Sequence, residues 1–188
     1  MLDSPNQTPL EWLSYLQRRC LDNAHALPQQ EQSDDEWSGI GFRLGDQYLV
    51  AHLGEVAEIL TPLSLCRVPR TKSWVCGVAN VRGNLMPIMD LQAYLHDRPA
   101  SMSRRSRILV VNHKGVYSGL VVDAVLGLRH FRDDQRCDEL PGDDECIHQY
   151  MTHGFRADGE HWGVFSMHAL AEAPKFMSSA VSRQASGK

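Results

Sequence analysis

Thiols and imidazoles are the side chains in this sequence best suited to chemistry. Cys137, Cys146, His148 and His153 lie within one short segment, and thiolate and neutral imidazole are ligands that zinc prefers. Their spacing matches no common zinc motif, so residues 137–144 read as a solvated loop, with His148 and His153 flanking a strand. Nine histidines are enough to supply a catalytic base, but no serine stands in a Gly-x-Ser-x-Gly elbow and no His-Glu-x-x-His occurs. Gly39, Gly41 and Gly45 superficially match a dinucleotide fingerprint. The last spacing is one residue too long, however, and a strand hairpin follows where a helix is needed. Arg104, Arg105 and Arg107 form a basic knot able to meet phosphate, yet no aromatic platform stands beside it, and it reads as a solvated loop. No catalytic residue, metal or cofactor is expected.

Residues 74–91 offer a different chemistry, that of an interface. Arg82 carries a planar fork of donors suited to carboxylates, and Gly83 beside it can adopt a positive φ and turn the chain sharply. Pro87 marks the strand after this turn, residues 85–89, as an edge strand or a strand end. Asp90 can cap a short helix over residues 91–95.

The elements that hold these residues are mostly strands. Residues 8–26 carry Leu10, Leu13, Leu16, Cys20 and Ala24 at helical spacing, an amphipathic helix with Thr8 as N-cap and Pro9 at its first position. Its apolar stripe reads as packing onto its own domain rather than as a docking helix for a partner. Residues 27–36 lose this period and read as a linker. From Gly39 the texture changes to short Val, Ile, Leu and Tyr runs separated by turn residues, the pattern of small barrels or sandwiches. Strands are expected at 42–44, 48–53, 56–60, 85–89, 108–111, 116–122, 125–131, 150–155 and 161–165, with a short helical turn at 74–78. Leu120-Val121-Val122 has the continuous apolar character of a strand buried on both faces. Residues 132–145 read as a long acidic loop, and residues 167–172 as a last helix capped by Ser166 and ended by Pro174.

The 188 residues, 43% hydrophobic and 22% charged, suit one ordinary domain or two small ones, in which about 70% of the unfolded surface is buried on folding. A net charge of -4 gives no field that attracts a phosphate backbone or an anionic membrane, which disfavours nucleic acid as a partner. No apolar run approaches the roughly 20 residues needed to span a bilayer. Residues 1–6 place an acid where a secretory signal has a base. The five cysteines are odd in number, scattered, and without a Cys-x-x-Cys pair, as in reduced cytosolic proteins. A cytoplasmic protein without direct membrane insertion is expected.

Residues 74–91 resemble the signature of the CheW family of chemotaxis adaptors: Gly-Val-x-Asn-hydrophobic-Arg-Gly at 77–83, then a strand with Pro87 and an Asp-Leu at 90–91. Residues 56–60, Val68-Pro69 and 119–125 follow the family's order and spacing, so the resemblance covers about residues 41–170. Residues 37–43, taken with 77–83, 87–91 and a preceding helix, are similar in particular to the branch of the family that serves type IV pilus twitching motility. One departure is Phe165-Ser166, where the family usually has Leu-Asp before its final helix: a capping residue is kept and a charge is dropped. Residues 1–36 lie outside the common adaptor core.

The resemblance implies a mainly β fold of two small five-stranded SH3/OB-like barrels, with an N-terminal helix and short connecting helices. It divides the chain into a helix and linker (1–38), a CheW-like domain (39–176, its halves separated near 98–106) and a flexible tail (177–188). It also implies a non-catalytic adaptor, associated with membrane receptor arrays through protein contacts. Its partners are then the cytoplasmic tip of a methyl-accepting chemoreceptor and the regulatory, CheW-like domain of a histidine kinase. Carried over residue by residue, Val56, Glu58, Gly77, Asn80, Arg82 and Gly83 become protein-binding or site-shaping positions. The family pattern leads us to expect Glu58 and Arg82 to pair across adjacent strands. Alternative readings are a flagellar chemotaxis coupling protein of the same family, an oligonucleotide-binding barrel, and a metal-dependent hydrolase using Cys146, His148 and His153.

Overall fold

The computed structural model describes residues 9–22, 36–98 and 102–178. The chain forms two units, Met1–Asp34 and Asp35–Lys188. In the first, α1 (Pro9–Asp22) starts at the proline, whose missing N–H costs nothing at a first helical position. Leu10, Trp12, Leu13 and Tyr15 are exposed along it. The expected Thr8 cap, the last turn toward residue 26 and most of the expected linker lie outside the described residues.

Among its described residues, the second unit is built from eleven strands in two sheets. One sheet has six strands in the order β8-β1-β2-β11-β10-β9: β8 (Ala124–Arg132), β1 (Glu36–Leu44), β2 (Gln47–His52), β11 (Glu160–Phe165), β10 (Met151–Ala157) and β9 (Arg136–Cys137). The other has five in the order β3-β6-β7-β5-β4: β3 (Glu58–Leu60), β6 (Arg107–His113), β7 (Val116–Val122), β5 (Asn84–Asp90) and β4 (Val75–Val81). Pairing is antiparallel except for β11 on β2 and β5 on β7. Two-residue turns close the hairpins, with positive φ at Gly45, at Lys114-Gly115 and at Asp158-Gly159, as the twist of paired strands requires.

Period-two side-chain alternation divides the apolar residues among three clusters. Along β6, Ile108 and Val110 face the inside of the five-stranded sheet, whereas Leu109 and Val111 face the main core. β7 does the same with Val121 against Leu120 and Val122, which is why that run is continuously apolar. Along β2, Val50 joins Phe131, Phe155, Trp162 and Val164 inside the six-stranded sheet, while Leu49 and Ala51 face the main core. The main core therefore lies between the sheets, where α2 (Leu91–His96), α3 (Glu145–His148), α4 (Met167–Glu172) and α5 (Pro174–Met177) add Tyr94, Ile147, Leu170 and Phe176. Asp90 caps α2 by accepting from the Ala93 N–H at 3.0 Å, and Ser166 caps α4 by accepting from the Ala169 N–H at 3.1 Å.

The mainly β, two-sheet architecture is the expected one, with several corrections. The sheets are open rather than closed five-stranded barrels, and one has six strands. Residues 98–106 do not separate them, because β6 and β7 join β3, β4 and β5 in one sheet; the chain changes sheet between β2 and β3 and again between β7 and β8. The expected helical turn at 74–78 is the start of β4, and the loop at 132–145 contains β9. His153 lies within β10, and His148 ends α3. Pro174 ends α4 and also opens α5.

Pro87 is not at a sheet edge: β5 lies between β4 and β7. The register explains the tolerance. Val81 opposite Asn84 closes the two-residue turn, so Val78 opposite Pro87 falls at a non-hydrogen-bonded pair. Val78 turns its N–H and C=O to Cys66, both at 2.9 Å, and pairing of β5 with β7 begins only at Ile88. No ladder bond is asked of the missing proline N–H.

Candidate functional site

The turn between β4 and β5 places Arg82 at φ 53° and Gly83 at φ 89°, the two positive values of a type I′ hairpin. A side chain at Gly83 would meet nothing within 4 Å, so glycine is needed there for its dihedral and not for space. Arg82 carries a Cβ in the same unfavourable region, a cost of about 1–3 kcal/mol. Asn80 holds the turn: its Oδ1 accepts the Gly83 N–H at 2.9 Å.

The Arg82 guanidinium donates from Nη2 to Glu58 Oε1 at 2.6 Å. The pair is made as expected, but not across adjacent strands. Glu58 is on β3 and Arg82 follows β4, and these are the two opposite edges of the five-stranded sheet. The sheet curls until its edges approach, and the ion pair spans the gap. A backbone bridge between Cys66 and Val78 ties the segment after β3 to β4 in the same way. The side chain of Arg82 stays 79% exposed while that of Glu58 is 25% exposed, so the acid anchors a fork still open to solvent.

Gly77 sits at a bulge in the β4–β5 pairing, at φ 146°. A Cβ there would lie 2.4 Å from the Cys66 carbonyl oxygen. Gly77 is thus required by the closing of the sheet edges. Val56 is half-buried against the main core, beside Ala57, whose N–H donates to Val110 O at 2.8 Å. Of the six residues, Glu58, Asn80, Arg82 and Gly83 meet around one turn, Gly77 shapes the strand beneath it, and Val56 packs inward.

Leu85 was not among the expected site residues. It is 74% exposed on β5, directly opposite Asn80 in register, and so sets an apolar side chain beside the polar turn. Its signal was the alternation of Leu85 with Met86, which is fully buried. Nearby on β4, burial and then the Asp90 carboxylate push the Cys76 thiol up to about 11.

A second polar cluster ties α4 to the rest. Glu55, between β2 and β3, accepts the Met167 N–H on Oε2 at 2.6 Å and the Ser166 hydroxyl on Oε1 at 3.3 Å. The charge missing from Phe165-Ser166 is therefore supplied from elsewhere in the chain. His168 stacks on His113, ring centroids 3.8 Å apart. His113 Nε2 and Lys114 Nζ each reach Glu172 Oε1 at 2.7 Å. Hydrogen bonds from Lys114 and then His113 bring the Glu172 carboxyl down to about 2.

The hydrolase trio does not assemble. His148 Nε2 is 3.1 Å from the Pro141 carbonyl oxygen, His153 lies edge-on to Trp37 and Phe155, and Cys146 groups with neither of them; Cys137 Sγ, outside the trio, contacts His161 Nε2 at 3.3 Å. Among the described residues, the trio of potential metal ligands that does converge is His96, Asp144 and Cys146. No helix among the described residues is long and apolar enough to cross a membrane.

Comparison with known proteins matches residues 38–175 to the CheW-like domain. Protein PilI of Pseudomonas aeruginosa is 42% identical over 175 residues, covering 93% of this chain and 98% of that protein. Chemotaxis protein CheW of Helicobacter pylori is 32% identical over 100 residues, 53% of this chain and 61% of the relative. The crystal structure of the scaffolding protein TtCheW from Thermoanaerobacter tengcongensis superposes with a TM-score of 0.63 at 23% identity, covering 74% of this chain and 94% of that one.

Proposed function

The chain belongs to the CheW-like domain family, and from that premise we propose that it is a non-catalytic adaptor coupling a methyl-accepting chemoreceptor to a histidine kinase in a pathway that serves type IV pili. The carrying observation is the likeness to Protein PilI over 93% of the chain, which reaches beyond the matched domain at 38–175. The chain works on the cytoplasmic side, held at receptor arrays by protein contacts.

The turn at Arg82 is the contact surface in this reading. A guanidinium that is anchored by Glu58 yet largely exposed loses little side-chain freedom on meeting a partner carboxylate. Leu85 beside it supplies apolar area to desolvate that contact. Glu58, Gly77, Asn80 and Gly83 shape and hold this surface, while Val56 packs against the main core just before β3. An adaptor of this size shared among partners offers roughly 800 Å² to each, and repeated contacts in an array then raise effective concentration.

The test is capture of partners from detergent-solubilised cells by the purified chain, with Arg82→Glu alongside. Recovery of a methyl-accepting receptor and a histidine kinase by the wild type alone supports the proposal, and the receptor recovered identifies the pathway. Recovery of a flagellar receptor instead selects flagellar coupling. Neither partner with folded wild type overturns the adaptor reading.

A further inference from the structure

We propose that His96, Asp144 and Cys146 form a binding site for a single zinc-class divalent cation that clips the two sheets together. The site is independent of the Arg82 surface.

Each ligand is positioned by the fold. His96 is the last residue of α2, whose Leu91, Tyr94 and Leu95 are buried. The helix stops there because Asp97 turns left-handed at φ 54° and donates its N–H back to Ala93 O. Asp144 caps α3: its Oδ1 accepts the Cys146 N–H at 3.0 Å. That bond turns the other oxygen, Oδ2, toward His96 Nε2 at 3.1 Å. The nitrogen, oxygen and sulfur ligand atoms all lie within 4.8 Å of one another.

The His96–Asp144 distance and the chemistry of the three ligands suit zinc. Two ligands on a tetrahedral zinc with bonds of about 2.0–2.1 Å stand about 3.4 Å apart, a few tenths beyond the His96–Asp144 separation. Imidazole, carboxylate and thiolate together favour this borderline ion over calcium or magnesium, which take oxygen. Asp144 and the Cys146 thiolate bring two negative charges to a dication, and the thiol proton leaves to solvent on binding.

A second observation points to the same place. His96 and Asp144, though not Cys146, line a cleft of about 510 Å³ together with Asp46, Gln47, Gln92 and Arg98. Gln47 Oε1 and Gln92 Oε1 are both buried there without a hydrogen-bond partner among the described residues. The cleft gives solvent access to the site, so water can complete the coordination of a three-ligand zinc. α2 follows β5 of one sheet and α3 precedes β10 of the other, so the ion joins the halves of the domain near the base of the main core.

The experiment uses the whole purified chain, stripped with chelator, titrated with cobalt(II) as probe and zinc(II) as competitor. We expect one cobalt per chain, a thiolate-to-cobalt charge-transfer band with the intense visible bands of tetrahedral cobalt, displacement by zinc, and a melting temperature that rises with zinc. Cys146→Ser abolishes the charge-transfer band. His96→Gln and Asp144→Asn, the second keeping the helix cap, weaken binding at least about 10-fold. Cys137→Ser changes nothing. Absence of the band from folded wild type overturns the site, as does a band that survives in Cys146→Ser. Either result leaves partner capture by Arg82 untouched.

Discussion

Glu55 caps a helix 112 residues further along the chain: its Oε2 accepts the backbone N–H of Met167 at 2.6 Å. Ser166 fills the local cap of α4 but brings no charge, and Glu55 restores a carboxylate to the helix start. Because Glu55 lies where the chain passes from one sheet to the other, the same bond holds that crossover against α4.

Replacing Glu55 by Gln keeps the shape and removes the charge. A charge-assisted bond to a part-buried N–H contributes about 1.5–3 kcal/mol. Urea unfolding of Glu55→Gln is expected to show stability lowered by about 1–2 kcal/mol, read as a lower midpoint with an unchanged slope. A midpoint equal to that of the wild type removes the assigned role of the carboxylate charge.

Gly77→Ala tests whether the sheet edges meet as described. The added methyl carbon lands 2.4 Å from the Cys66 carbonyl oxygen, at a φ of 146° that L side chains rarely adopt. A loss of at least about 2 kcal/mol is expected. Native-state hydrogen exchange should quicken first at Cys66 and Val78, whose N–H groups form the bridge. Gly83→Ala, with open space around it, should cost about 1 kcal/mol from its dihedral alone.

Much of this was legible in residue order. Alternation placed most strands, the Gly-containing pairs placed the turns, and Asp90 and Ser166 announced their helices. Sheet membership was not legible: β6 follows the polar stretch at 98–106, yet its alternating faces serve two cores equally well on either side of that stretch. Pro87 misled because its meaning depends on whether its position is a hydrogen-bonded pair, which register and not composition decides. Glu58 and Arg82 were paired by family pattern, but only curvature of the sheet shows that the pair spans opposite edges. Glu55 gave no local signal, since its partner is 112 residues away. His96 and Asp144 were hidden for the same reason.

Glu172 should titrate low. Its carboxyl is brought from 4.5 to about 2 by hydrogen bonds from Lys114 and then His113. A depressed carboxylate adds stability above its unfolded value, near 4.5, and that stability fades as pH falls toward 2. Carboxyl carbon NMR should report a midpoint well below 4.5, rising toward it in Lys114→Met, with a smaller rise in His113→Gln. A midpoint unmoved in both variants removes the cluster as its cause.

The last prediction separates fold from interface at Arg82. An ion pair whose arginine is 79% exposed adds about 0–1 kcal/mol, so Arg82→Glu should unfold within about 1 kcal/mol of the wild type. Two acids then face each other at the turn, and Glu58→Arg added to Arg82→Glu restores an opposite-charge pair in reversed order. A purely structural role for the pair predicts that this double variant recovers partner capture along with stability. A contact role predicts recovered stability without capture, because the partner's carboxylate now meets a glutamate at 82. Full recovery of capture in the double variant would place the binding surface elsewhere and leave Arg82 as a clasp between sheet edges.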